Sequence, residues 1–73
     1  MSGLFWQVVA TDLPRAELTR ELLRRAGVDS SVITGPSDRV FRVVVGPLSS
    51  EKAIRDTRAA LAAEGFRPFM RHF

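Results

Sequence analysis

Phe41-Arg42-Val43-Val44-Val45-Gly46-Pro47-Leu48-Ser49-Ser50-Glu51-Lys52-Ala53 joins a strand to the start of a helix and sets one arginine among valines. Strand side chains alternate between faces, so Phe41, Val43 and Val45 share one side and Val40, Arg42 and Val44 the other. With the first side under helices, Arg42 stands on the open one. Gly46-Pro47 breaks the strand, Ser49 or Ser50 caps the helix that follows, and Glu51 lies near its positive end.

Upstream the same order recurs. Residues 4–10 alternate, with Leu4, Trp6, Val8 and Ala10 on one face and Phe5, Gln7 and Val9 on the other, Gln7 marking the less buried side. Trp6 shares its face with Val8, which assigns it to the core. Thr11 or Asp12 caps a helix that begins near Pro14 and stops at Gly27; Ala16, Thr19, Leu22, Leu23 and Ala26, beside Leu18, form its inner stripe. Glu17, Arg20, Glu21, Arg24 and Arg25 on its outer face are spaced for weak surface pairs.

Residues 31–34 read as a short second strand, and Gly35-Pro36-Ser37-Asp38 as the turn into a third strand over 39–45. A second helix over 50–64 buries Ala53, Ile54, Thr57, Ala60 and Leu61 and ends at Gly65, as the first ends at Gly27. Residues 66–73 contain Pro68 and belong at a sheet edge; Arg67, Phe69, Arg71 and Phe73 share one side, Pro68, Met70 and His72 the other.

The resulting order, βαββαβ, is built from two βαβ-like halves. Right-handed crossovers then predict an α+β, ferredoxin-like (RNP-like) sandwich: a four-stranded antiparallel sheet in the order 4-1-3-2 with both helices on one face. Strands 1 and 3 are central, which makes Gln7 and Arg42 neighbours on the open face, surrounded by Phe5, Val9, Val40 and Val44. Apolar platforms with two long hydrogen-bonding side chains suit an extended ligand.

Composition narrows the function classes. The 73 residues make a single domain, read as 4–73 behind a short tail of Met1, Ser2 and Gly3, and a 45% hydrophobic, 26% charged chain is expected to fold. No apolar run approaches the roughly 20 residues of a membrane span and no signal peptide opens the chain, so any export address is expected on a longer parent chain. The net charge is +3 and ten of the eleven cations are Arg, a residue suited to carboxylates; residues 37–73 hold seven cations against four acids. There is no cysteine, and His72, the lone histidine, has no ligand partner at metal spacing, so no metal and no cofactor is expected. The acids fall at caps, turns and helix surfaces rather than converging, which argues against an enzyme.

Nearly the whole chain resembles the SPOR (sporulation-related repeat) family, whose second half reads aromatic-Arg-Val-x-Val-Gly-Pro-aromatic, then a Ser-rich cap, an Ala-containing helix and a Gly-aromatic pair. Here these are Phe41 to Leu48, Ser49-Ser50, Ala53 and Gly65-Phe66. In the first half Phe5 and Gln7 match, while Val9 replaces the family's usual Gly and Thr11 its usual aromatic.

The resemblance implies a non-catalytic peptidoglycan-binding module that targets a cell-envelope or cell-division protein, in the bacterial periplasm, to septal glycan strands stripped of stem peptides. Such strands expose a lactyl carboxylate on every second sugar. Arg42, with Arg39 nearby, is then expected to pair with a carboxylate, Gln7 to serve an acetamido group, and Phe5, Val9 and Val44 to lie against sugar faces and methyls. Two other classes share the topology. An RNA or single-strand binder stacks bases on central-strand aromatics, which Val40, Arg42 and Val44 do not provide, so nucleic acid is disfavoured. A protein-interaction or homodimerisation module pairs open sheet faces.

Overall fold

The computed structural model describes residues 2–73; Met1, read as part of the tail, lies outside them. The elements are β1 (Leu4–Thr11), α1 (Leu13–Arg25), β2 (Ser31–Thr34), β3 (Phe41–Val45), α2 (Glu51–Ala63) and β4 (Phe69–His72). The strands form one antiparallel sheet in the order β2-β3-β1-β4, the expected arrangement read from its other edge. β3 is shorter than the predicted 39–45 because residues 36–39 form the bend and turn of the β2–β3 connection.

The two halves use the same local chemistry. Asp12 caps α1 by accepting a hydrogen bond from Arg15 N–H, and Ser50 caps α2 by accepting one from Ala53 N–H. At the far ends Val28 N–H donates to Leu23 O and Phe66 N–H to Leu61 O, each reaching back across a glycine with φ near +85° (Gly27 +84°, Gly65 +89°). Each closing bond lands on a fully buried leucine, so the helix ends are tied to the core.

Trp6, Val8, Val43 and Val45 of the sheet pack with Ala16 and Leu23 of α1 and Leu61 of α2, joined by Val28 and Leu48. Trp6 is in this core as expected; its indole N–H donates to Ile54 O at 3.0 Å, and the Arg58 guanidinium lies 6.0 Å from its ring centre. The inner stripe of α1 is narrower than its apolar spacing suggests. Ala16 and Leu23 are buried, whereas Leu18 and Leu22 are 61% and 50% exposed and Ala26 is also exposed. Leu18 and Leu22 lie about a quarter-turn or more from the buried direction, too far round the helix to reach the sheet.

The strand-to-helix turn after β3 depends on Gly46. Its φ is +152°, and a Cβ there would stand 2.7 Å from the Phe5 ring and 2.9 Å from Leu4 O. Leu48 N–H then donates to Leu4 O at 2.8 Å, fastening the turn to β1. At the same end of the sheet Gly3 and Phe73 exchange two backbone hydrogen bonds of 2.9 Å, so the β1–β4 pairing extends beyond both strands.

Leu61→Ala should cost about 2–5 kcal/mol in denaturant unfolding, and Leu18→Ala no more than about 0.5 kcal/mol. Equal costs would place Leu18 in the core.

Candidate functional site

One register irregularity decides what the helix-free face presents. Gln7 pairs with Val44 and Val9 with Val43, so a β-bulge at Val8 sets two residues of β1 against one of β3. Val8 and Val9 therefore both turn toward the helices, and Val9 packs against the core. The expectation of Val9 on the open face is corrected: strict alternation stops at the bulge. Beyond it Ala10, not Val9, faces the open side, directly opposite Arg42.

The register assigns the rest of that face. Gln7 lies between Val44 on β3 and Phe69 on β4; Phe5 is opposite Arg71; Arg42 lies between Ala10 on β1 and Ile33 on β2. Gln7 and Arg42 thus share the face as diagonal rather than direct neighbours, about 7–8 Å apart. Arg39 is in the exposed turn before β3, and Val40 is half-buried just outside the strand.

Burial differs from the sequence reading at three positions. Phe5, Val44 and Gln7 are buried although neither helix packs over them. Phe5 is closed in by Gly46 and by Phe73, whose ring meets it edge-on with centres 5.5 Å apart. Phe5 and Val44 thus form a floor rather than exposed platforms. Gln7, expected on the less buried side, is only 5% exposed, and its Oε1 has no donor.

Two contributors came from the C-terminal alternation, whose facing the sequence left undecided. Pairing with β1 puts Phe69 and Arg71 on the open face; Phe69 is 52% exposed, and Arg71 is held over the Phe73 ring, 5.6 Å from its centre. The signal was the Arg67-Phe69-Arg71-Phe73 repeat, and only the register told which side it takes.

Charge is segregated in the same sense. Residues 12–29 and 51–64, the helices with their flanking turns, carry seven cations and seven acids, and all six ion pairs among the described residues lie there. The remaining charges are Arg39, Arg42, Arg67 and Arg71 against Asp38, which accounts for the whole formal charge of +3. Arg42 and Arg71 have no carboxylate within ion-pair distance among the described residues, so their fork-shaped donors are not committed to an ion pair.

On α1, by contrast, Arg24 donates to Glu21 at 2.7 and 3.0 Å and, with Arg25, holds its carboxyl at about 2 against an ordinary 4.5. Two concavities, of about 50 and 270 Å³, lie between α1 and β2, lined by Arg20, Glu21, Arg24, Asp29 and Ser30 and by Glu17, Arg20, Ser30, Ser31 and Val32. They are away from the sheet face, and their arginines already face Glu17 and Glu21. Among the described residues no group of His, Cys, Asp or Glu could hold a metal, and no helix is long and apolar enough to cross a membrane.

A βαββαβ sandwich with one face free of helices and lined by uncommitted guanidiniums has the build of a binding module. A family model, the SPOR domain, matches residues 6–71, and the chain belongs to that family. SPOR domains are peptidoglycan-binding modules of cell-division and cell-envelope proteins, a binding rather than a catalytic family. No curated protein and no solved structure matches the chain.

Two measurements probe this electrostatic and polar arrangement. Glu21 is held below its unfolded value, so its contribution to stability is present above about pH 4.5 and is lost as pH falls toward 2. At low salt Glu21→Gln should flatten that acid limb of the denaturation midpoint, and added salt should flatten it in the parent chain. Gln7→Leu removes a buried acceptor that lacks a donor; its unfolding free energy should be unchanged or up to about 3 kcal/mol higher. A large loss would mean that Gln7 has a structural partner.

Proposed function

We propose that this domain binds peptidoglycan glycan strands lacking stem peptides and so directs a cell-envelope protein to the division septum. The carrying observation is the pair of uncommitted arginines, Arg42 and Arg71, on the helix-free face of a SPOR domain whose other cations are largely balanced by acids. Removing the stem peptide leaves a lactyl carboxylate, the planar acceptor that a guanidinium fork matches, and removes the peptide bulk that would hold a strand off the sheet.

Arg42 is the central carboxylate contact in this reading. Arg39, at the exposed turn, adds positive field along the same side. Gln7 offers its amide to an acetamido group, and Phe69 supplies the exposed apolar surface for a sugar face that Phe5 and Val44 support only from beneath. Val9 has no part in it.

Cosedimentation with purified sacculi tests the proposal. Binding should rise after amidase digestion, and Arg42→Gln should lower it about ten-fold or more, the size of a lost charge-assisted hydrogen bond, with the unfolding midpoint nearly unchanged. Equal binding to digested and undigested walls would overturn the stripped-strand specificity, and a salt-sensitive gel shift with single-stranded oligonucleotides would favour nucleic acid instead.

A further inference from the structure

Arg42, Gln7 and Arg71 lie on one line. Arg42 on β3 is opposite Ala10, which follows Gln7 on β1, and Arg71 on β4 is opposite Phe5, which precedes it. The two arginines are therefore displaced from Gln7 in opposite directions, both across the sheet and along the strands. Each is a diagonal neighbour at about 7–8 Å, so their Cα atoms are about 15 Å apart with Gln7 at the midpoint. Directly across the strands Gln7 is flanked by uncharged side chains, Val44 on β3 and Phe69 on β4. The face is thus laid out as cation, neutral amide, cation.

We infer that the domain reads two successive carboxylates on one strand, one at Arg42 and one at Arg71, with the uncharged sugar between them over Gln7. The inference rests on the glycan reading above and adds to it the register and minimum length of the ligand. A stripped strand alternates a carboxylate-bearing sugar with a neutral N-acetylated one, so carboxylate, acetamide, carboxylate is its own repeat. Arg71 is a positioned group and not a free surface charge, because the Phe73 ring beneath it is itself packed edge-on against buried Phe5. Gln7 fits the middle position: an amide is uncharged and carries both donors and an acceptor, and its oxygen has no donor of its own. Holding both carboxylates at once makes the second contact intramolecular, which raises affinity without a new kind of interaction.

The test is calorimetric titration of the full chain with amidase-stripped glycan fragments, a disaccharide bearing one carboxylate and a tetrasaccharide bearing two. The tetrasaccharide should bind at least about ten-fold more tightly, the scale of one charge-assisted hydrogen bond. Arg71→Gln should erase that advantage while changing disaccharide affinity by no more than about two-fold, the statistical factor for losing one of two equivalent ends. Arg42→Gln should erase it from the other end, and unchanged thermal midpoints would establish that both variants are folded. A tetrasaccharide advantage that is absent, or that survives Arg71→Gln, overturns the two-carboxylate inference and leaves the glycan reading standing. Binding of neither fragment, with no retention on amidase-treated sacculi, overturns both.

Discussion

The pairing of β1 with β3 is the constraint on which the rest depends. These are the two central strands, and each side chain they carry is committed either to the helix-covered core or to the free face. The bulge at Val8 breaks the alternation once, sending both Val8 and Val9 into the core and leaving small Ala10 beside Arg42. A small domain has little core to draw on, and a buried Val8 with a half-buried Val9 packed beside it adds to that core. The same irregularity sets an alanine, rather than a valine, opposite the arginine. Core volume and site shape are therefore set by one local departure from the ladder.

The second organising feature is where charge is spent. On the helices, arginines and acids neutralise one another at i,i+3 and i,i+4 spacing, which adds only tenths of a kcal/mol per pair but leaves no net field there. On the sheet side the arginines have no such partners, so the net positive charge is concentrated there. Gln7 follows the same logic. An acceptor buried without a donor weakens the fold, and such costs collect at sites that have a ligand to meet.

Much of this was legible in the residues. The strand, Gly-Pro turn and capped helix of residues 41–53, the paired glycine stops and the 2-versus-3.6 periodicities specify βαββαβ, because each depends on interactions within a few residues along the chain. Arg42 stood out for the same reason: an arginine among valines on one strand needs only local parity to be placed on the face opposite Val43 and Val45. The wide apolar stripe read on α1 failed at Leu18 and Leu22, since spacing along a helix does not tell how far round the sheet reaches.

What the sequence determined by itself, then, is the element order, the caps, the family pattern and the face of Arg42, all encoded in short-range geometry. Tertiary structure alone decided the remainder. The bulge that withdraws Val9, the diagonal offset of Gln7 from Arg42, the burial of Phe5 under Phe73 and the recruitment of Phe69 and Arg71 all depend on the register between strands far apart in sequence. A one-residue change of register moves a side chain to the opposite face, and no local pattern carries that information.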